Sequence, residues 1–227
     1  MIVVVGLAFE ARIAAGPGIR VICSGDGRNL AVSLSNAITD ARRASGGCQG
    51  LISFGVAGGL APQLEPGACI VGSAILSGTS RMPTDPTWSK KLLQTVPNAV
   101  HGTLVGVPAP ISHPDTKRAL YIKTGAMAVD MESHIVASVA QAHAIPFAAI
   151  RVITDPAVRA LPRSALAAMR PDGTTDIMAM LRSVVQRPRD VPALFRTALD
   201  ARAARSTLLR GRQLLGPRLG LPEFQEA

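Results

Sequence analysis

Short apolar runs recur along the chain and alternate with stretches in which apolar residues return every three or four positions. Several of the runs are apolar at almost every position, which is typical of strands covered on both faces. Seven runs are predicted as strands: Ile2–Leu7, Ile19–Ser24, Leu51–Val56, Cys69–Leu76, Val100–Val107, Ala126–Met131 and Phe147–Thr154. This alternation predicts an α/β fold with a central sheet between helices.

Helical spacing is clearest in two stretches between these strands, Asn29–Ala44 and Glu132–His143. Thr174 or Thr175 is predicted to cap a third helix that ends before Pro188. The segment from Leu161 to Gly173 is rich in Pro, Ala and Arg and has no clear period, so it is predicted to be a mobile loop with a helical turn.

A last helix is predicted after Asp190, which is a suitable N-cap with Pro192 in the first turn. Its apolar stripe would consist of Leu194, Ala198, Ala201, Leu208 and Leu215. We therefore expect one large domain over residues 1–187 and a basic helical C-terminal extension over residues 188–227.

Charge is unevenly distributed. The chain of 227 residues has a formal net charge of +9, and two thirds of that excess lies after residue 155, where every basic residue is Arg. An amphipathic, Arg-rich extension of this kind is typical of a solvated face, a subunit contact or a surface that meets anionic lipid headgroups.

Composition excludes several classes of protein. Apolar residues form 48% of the chain and no apolar run is long enough to cross a bilayer, so disorder and a membrane span are both excluded. Glu10 and Arg12 follow the apolar start at once, which argues against a signal peptide. The three widely spaced cysteines indicate neither disulfides nor a zinc site, and we expect a cytoplasmic protein.

Three segments at strand ends are candidates for chemistry, because open α/β sheets bind ligands there. Gly25-Asp26-Gly27-Arg28 lacks the third glycine of a dinucleotide motif and fits an ordinary tight turn as well. The glycine-rich loop over residues 55–60 allows backbone to approach a ligand, or is a tight connection. Asp130 and Glu132 lie at the end of one predicted strand, and Asp155 lies at the end of the next. These acids are either helix caps and turn residues or a catalytic group.

The order and spacing of three motifs resembles the purine nucleoside phosphorylase and methylthioadenosine/S-adenosylhomocysteine nucleosidase family. The motifs are Ser-Phe-Gly-Val-Ala-Gly-Gly-Leu-Ala-Pro (53–62), Val-Asp-Met-Glu-Ser (129–133) and Ile-Arg-Val-Ile-Thr-Asp (150–155). The match covers about residues 1 to 187, and the opening over residues 5–12 with the basic extension resembles the hopanoid-associated phosphorylase branch. The resemblance implies a three-layer α/β/α fold with a mixed central sheet.

The resemblance also implies the roles of several residues. Asp155 would be the general acid that protonates N7 of the departing purine, and Glu132 the carboxylate that binds the ribose hydroxyls. Met131 would form the floor beneath the ribose, while Arg151 and Thr154 would order the Asp155 loop.

Departures from the family pattern leave the nucleophile open. Val56 replaces a Ser that helps hold the attacking water in the nucleosidases, and Glu10 lies one position before the expected water-activating Glu. The Arg that binds phosphate in the phosphorylases has no counterpart, although Arg12 or Arg28 could substitute. Water and phosphate both remain candidate nucleophiles.

The purine pocket also departs from the family pattern. Pro110, followed by Ile111, falls where the family carries an aromatic residue stacked on adenine. Phe9 and Phe54 lie near the proposed site along the sequence, and each is alternatively a core residue. Gly58 of the glycine-rich loop is a further candidate for substrate contact.

These inferences predict an enzyme that cleaves the N-glycosidic bond of an adenine nucleoside, with adenosylhopane as the preferred substrate in hopanoid biosynthesis. We expect no metal and no organic cofactor, phosphate as a conceivable co-substrate, a homo-oligomer, and peripheral contact with the inner face of the membrane. A methylthioadenosine/S-adenosylhomocysteine nucleosidase is the alternative. A nucleic-acid-binding module would explain the basic tail and the pI near 10.7, but the chain has no array of stacking aromatics, so we expect no nucleic-acid partner.

Overall fold

Strands and helices alternate along most of the chain, as the apolar pattern predicts. The computed structural model describes residues 1–24, 29–44, 47–162 and 188–222. Within these ranges the strands are β1 (Ile2–Val5), β2 (Arg20–Cys23), β3 (Leu51–Gly59), β4 (Cys69–Ser77), β5 (Ser80–Pro83), β6 (Val100–Gly106), β7 (Ala128–Asp130) and β8 (Phe147–Asp155). The helices are α1 (Ala8–Ala14), α2 (Leu30–Arg43), α3 (Pro86–Thr95), α4 (Pro114–Thr124), α5 (Ser133–Ala142) and α6 (Val191–Leu214).

All of these strands belong to one mixed sheet. β2, β1, β3 and β8 lie side by side and run parallel, and β8 is antiparallel to β4 on its other side. β4 runs parallel to β6, β6 runs parallel to β7, and β7 is antiparallel to the end of β3. The strands β3, β8, β4, β6 and β7 therefore close into a ring.

Two hydrophobic cores cover the two faces of the sheet, because alternate residues of each buried strand point to opposite sides. Ile2 and Val4 of β1 pack with α2 and α5, whereas Val3 and Val5 pack with α1, α3 and α6. The predicted mixed sheet between two helical layers is confirmed.

The C-terminal helix α6 packs on the domain. Ala204, Leu208 and Leu215 are buried in the same core as Trp88 of α3. The indole Nε1 of Trp88 donates to the carbonyl oxygen of Leu219 at 3.0 Å, and Arg212 donates to the carbonyl oxygen of Ala14. The apolar stripe predicted for this helix is therefore only partly correct, since Ala198 is exposed.

Among the helices and strands of the described residues, the sequence did not predict β5, α1, α3 and α4. Each is short or mainly polar, so its apolar period is weak. α3 and α4 nevertheless carry local start signals, since Pro86 and Pro114 occupy first-turn positions. The helix predicted after Thr174 or Thr175 lies outside the described residues, as does nearly all of the predicted loop at 161–173.

None of the described helices is long and apolar enough to cross a bilayer.

Candidate active site

A cavity of about 290 Å³ lies at the carboxyl ends of β1, β3, β7 and β8. The parallel strands β1, β3 and β8 direct their carboxyl ends to one edge. β7 reaches the cavity differently, because it pairs antiparallel with the end of β3. Its described lining residues are Gly6, Leu7, Phe9, Glu10, Val56, Ala57, Gly58, Val107, Pro110, Ile111, Val129, Asp130, Met131, Glu132, Thr154, Asp155, Leu161, Thr197 and Ala201. Four of them are acids, and no Lys, Arg or His is among these lining residues.

Asp155 ends β8 and is held by two donors. Nζ of Lys117 lies 2.6 Å from its Oδ2, and Thr154 Oγ1 donates to its Oδ1 at 2.8 Å. Burial raises the pKa of the Asp155 carboxyl, and the ammonium of Lys117 opposes that rise. A carboxyl group with a raised pKa at the wall of a cavity is suited to donating a proton.

Arg151 is fully buried at the centre of a second hydrogen-bond network, which holds two of the lining acids. Its Nε donates to Asp130 Oδ2 at 3.0 Å, and its Nη2 donates to Glu132 Oε2 at 3.1 Å and to Ser53 Oγ at 2.7 Å. Burial alone would lower the pKa of Arg151, but Asp130 and Glu132 reverse this and raise it. The guanidinium therefore stays charged and fixes both carboxylates.

Asp130 serves mainly to shape the backbone. Its Oδ1 accepts from the N–H groups of Glu132 and Ser133, at the start of α5. With both oxygens engaged, Asp130 positions its neighbour Glu132 at the cavity. This agrees with the capping role that the sequence offered as one alternative for this acid.

Glu132 lines the cavity with Oε2 held by Arg151, and its Oε1 accepts from no side chain among the described residues. The backbone N–H of Met131 also hydrogen-bonds to this carboxylate. The pKa of Glu132 is raised to about 7. Burial is the largest cause, the charges of Asp130 and Glu10 add to it, and the guanidinium of Arg151 opposes it. An oxygen with free lone pairs at a cavity wall can accept hydrogen bonds from hydroxyl groups of a ligand.

Glu10 lies in a cluster of backbone donors. Its Oε2 accepts from the N–H groups of Gly6 and Leu7 at 2.9 and 2.8 Å, and its Oε1 accepts from Val56 N at 2.7 Å. Burial raises the pKa of the Glu10 carboxyl, partly offset by Arg151 and these donors. Oε2 is saturated, whereas Oε1 keeps one acceptor position.

Glycines allow these carboxylates to approach the backbone so closely. A Cβ at Gly55, where φ is +156°, would lie 2.5 Å from Glu10 Oε1, and one at Gly6 would lie 2.7 Å from Glu132 Oε1. A Cβ at Gly58 would lie 3.1 Å from Asp155 Oδ2. The glycine-rich loop thus makes room for acidic side chains as well as for a ligand.

The remaining walls of the cavity are mostly apolar. Pro110 and Ile111 lie on one wall, and Met131 lies beside Glu132, as the sequence analysis places them. Thr197 and Ala201 of α6 add a wall that the sequence analysis did not anticipate.

Three predicted site residues require correction. Phe54 is 1% exposed, packs in the core with Trp88 and is not among the residues that line the cavity. Arg12 is exposed on α1 and does not line the cavity. Arg151 orders Asp130 and Glu132 rather than the Asp155 loop. Arg28 lies outside the described residues.

Lys117 is the most important residue that the sequence analysis missed. It lies on a polar helix, where a lysine ordinarily faces solvent, and so carries no visible signal in the sequence. Thr154, which was predicted to order the Asp155 loop, contacts the Asp155 carboxylate directly.

A model of the phosphorylase superfamily matches residues 5–189. The chain therefore belongs to that superfamily, and the prediction of an enzyme of the nucleoside phosphorylase and nucleosidase class is confirmed. A comparison with curated protein sequences gave no significant match.

Solved structures with the same fold include several nucleosidases. Futalosine hydrolase of Helicobacter pylori is 16% identical, with a TM-score of 0.61 over 80% of this chain and 97% of that one. The 5′-methylthioadenosine/S-adenosylhomocysteine nucleosidase of H. pylori, bound to butyl-thio-DADMe-Immucillin-A, is 17% identical, with a TM-score of 0.61 over 82% and 97%. The corresponding nucleosidase of Colwellia psychrerythraea, in complex with adenine, is 17% identical, with a TM-score of 0.59 over 79% and 93%.

Proposed function

We propose that this enzyme hydrolyses the N-glycosidic bond of an adenine nucleoside and releases adenine. The observation that carries the proposal is the convergence of Asp155, Glu132 and Glu10 on one cavity that is otherwise largely apolar. Each carboxylate has a different set of partners, so each is suited to a different part of the reaction.

Asp155 is proposed as the general acid. An adenine anion is a poor leaving group, and a proton delivered to N7 makes the base neutral as the C1′–N9 bond breaks. Positioned proton donation contributes about 10²–10⁴-fold to rate. The raised pKa of Asp155 favours the protonated form that such a donor needs.

Glu132 is proposed to bind the ribose. Its Oε1 has acceptor capacity for the 2′ and 3′ hydroxyls while Arg151 holds Oε2. Its negative charge would also stabilise the positive charge that develops on the sugar. Met131 would then lie beneath the ribose.

Water is the proposed nucleophile, with Glu10 as its base. The remaining acceptor position on Glu10 Oε1 can take a hydrogen bond from water. A phosphate dianion would instead meet carboxylates, since no basic residue is found among the described residues of the lining. The proposed reaction needs no metal and no organic cofactor.

Adenosylhopane is the proposed substrate, through the resemblance to the hopanoid-associated branch. The apolar cavity walls would suit an apolar 5′ substituent. Phe195 and Leu199 are 67% and 51% exposed on α6, the helix that contributes Thr197 and Ala201 to the cavity, and arginines flank them. An apolar row with basic neighbours is suited to peripheral contact with an anionic membrane surface.

The resemblance also implies a homo-oligomer, which light scattering would detect.

The test is incubation of the purified chain with adenosylhopane, methylthioadenosine and adenosine, each with and without phosphate. We expect adenine release in both conditions, and we expect the free sugar formed with phosphate to have the same mass as the one formed without it. A sugar phosphate formed only with phosphate would show phosphorolysis instead. Preference for methylthioadenosine would favour the alternative nucleosidase, and no adenine from any substrate would contradict the proposed function.

Membrane contact has a separate test. The double variant Phe195→Ser/Leu199→Ser should lose sedimentation with anionic liposomes, whereas Val32→Ser, which changes a side chain 63% exposed on α2, should keep it. Equal sedimentation of both variants, or none by the parent chain, would contradict the membrane proposal and leave the nucleosidase proposal intact.

A further inference from the structure

Lys117 is a cation in an unusual place. It is the buried residue of α4, and its side chain has no exposed surface. Moving an ammonium group out of water costs several kcal/mol unless it is well paired. An arrangement of this kind therefore needs partners that offset the cost.

Four oxygens surround Nζ of Lys117. The carbonyl oxygens of Asp155, Pro156 and Arg159 lie at 3.2, 3.1 and 3.2 Å, and Asp155 Oδ2 lies at 2.6 Å. The carbonyl contacts fold the chain after β8 around the ammonium. The shortest contact, however, is to the carboxylate proposed as the general acid.

We propose that Lys117 is the positioning residue of the general acid: it fixes Oδ2 of Asp155, directs the acidic proton to Oδ1, and sets the pH at which that proton is lost. This inference rests on the proposed function and extends it. An ammonium that donates to Oδ2 opposes a proton on that oxygen, so the proton resides on Oδ1, where Thr154 Oγ1 also lies.

In the proposed step the Oδ1–H bond breaks and an N7–H bond forms, while the C1′–N9 electron pair passes to the purine. Water adds to C1′ and its proton passes to Glu10. Asp155 is left as a buried carboxylate, which would be costly without a partner. Lys117 supplies that partner, so it stabilises the state that follows the transfer.

Other charges also face Asp155. Burial raises the pKa of Asp155 and Lys117 lowers it, while Asp200 of α6 raises it. Asp200 is itself paired with Arg159, whose carbonyl oxygen accepts from Lys117. Lys117 is thus the cation that opposes both burial and Asp200 at this carboxyl group.

The test is the pH profile of kcat for adenine release by Lys117→Met. The general acid works when protonated, so kcat falls as pH rises past its pKa. Without the ammonium, the alkaline limb should move to higher pH by about one unit or more, in the direction that uncompensated burial imposes. Lys117→Arg, which keeps the charge, should restore the limb towards its wild-type position. Lys117→Gln, which keeps a donor to the carbonyl oxygens, should shift the limb like Lys117→Met and serves if the Met variant does not fold.

A folded Met or Gln variant with a lowered kcat and an unmoved alkaline limb would overturn the inference, because a purely structural lysine would give that result. The two proposals fail separately. Absence of adenine release by the wild-type enzyme contradicts the proposed function, whereas an active wild type with unshifted variants contradicts only the role of Lys117.

Discussion

Nη2 of Arg151 donates to Oε2 of Glu132 at 3.1 Å, and both side chains are almost completely buried, with 1% and 8% of their surface exposed. The pairing holds one carboxylate oxygen on the protein side and leaves the other for a ligand. Since Arg151 also binds Asp130, the guanidinium keeps a partner when Glu132 is changed.

Glu132→Gln should therefore retain the fold and lose ribose binding together with charge stabilisation. We expect kcat/KM for the ribonucleoside to fall by about 10–100-fold, the scale of a lost hydrogen bond to a charged group. A 2′-deoxy analogue should lose less on the same substitution, and steady-state kinetics with both substrates measures the difference. Equal losses would contradict contact between Glu132 and the 2′ hydroxyl.

The raised pKa of Glu132 also predicts a pH dependence of stability. The folded protein holds this proton up to about pH 7, whereas the unfolded chain releases it near 4.5. The folded state therefore binds more protons between these values, and Glu132 should reduce the free energy of unfolding as pH rises through that window. Urea unfolding on either side of the window should show this loss in the wild type relative to Glu132→Gln. A constant difference between the two proteins would contradict it.

Asp155→Asn should lower kcat by about 10²–10⁴-fold, because the amide keeps the shape and loses the acidic proton. Lys117 keeps its three carbonyl contacts, so the variant should stay folded. Asp115→Asn is the matched control, since its side chain is 91% exposed and it lies on the same helix as Lys117. Adenine release by Asp155→Asn at the rate of this control would show that Asp155 is not the acid.

Gly55→Ala should disturb Glu10 and Arg151 together. The new Cβ would lie 2.5 Å from Glu10 Oε1 and 2.8 Å from Arg151 Nη1, at a φ of +156°. We expect a loss of about 1–3 kcal/mol in the free energy of unfolding and reduced activity.

Gly211→Ala is the control for Gly55→Ala. Gly211 lies within α6, and a Cβ there would meet no atom within 4 Å. Alanine in a helix interior should stabilise the protein by about 0.5–1 kcal/mol. Chemical denaturation of both variants should show a lower free energy of unfolding for Gly55→Ala and a higher one for Gly211→Ala. Similar effects of the two substitutions would contradict the role of Gly55.

Removal of the C-terminal segment after Pro217 should loosen the core. It deletes Leu219 and Leu221, both buried, and the carbonyl group that accepts from Trp88. The loss of two buried leucines should cost at least about 3 kcal/mol. Trp88 is the single tryptophan of the chain, so its fluorescence should shift to longer wavelength and the Tm should fall. A truncation after Pro222 keeps both leucines and should resemble the parent; identical spectra for both truncations would contradict the anchoring contact.

Strand positions could be predicted well because buried strands have continuous apolar runs. All seven predicted strands occur, with ends that differ by no more than three residues. The four-residue strand β5 has one buried position, Met82, and so offers no pattern. α4 is similar, because its buried residue is a lysine and its hydrophobic period is absent.

Some residues of the site could likewise be predicted from the sequence, and others could not. Acids and glycines at strand ends could be placed near the cavity, because the parallel strands β3 and β8 direct Gly58 and Asp155 to one edge. Glu132 follows β7, which reaches the cavity by pairing antiparallel with the end of β3. The partners of those acids could not be placed, because Lys117 comes from a helix 38 residues before Asp155 and pairs with it only in the folded chain. Phe54 was misplaced because it lies further back along β3 than Val56, Ala57 and Gly58, the residues of that strand that line the cavity. The boundary between residues 187 and 188 stays a prediction.

Thr197 and Ala201 form a cavity wall that lies in a different part of the sequence from the proposed catalytic residues. The proposed catalytic carboxylates all precede residue 156, whereas this wall belongs to one contiguous helix. Arg159 and Asp200 join the two parts through an ion pair, so a helix transplanted from a relative would need a compatible partner for Arg159. With that ion pair preserved, the substrate range of the enzyme could be redesigned by exchanging helix α6 alone, while the acid–base residues stay unchanged.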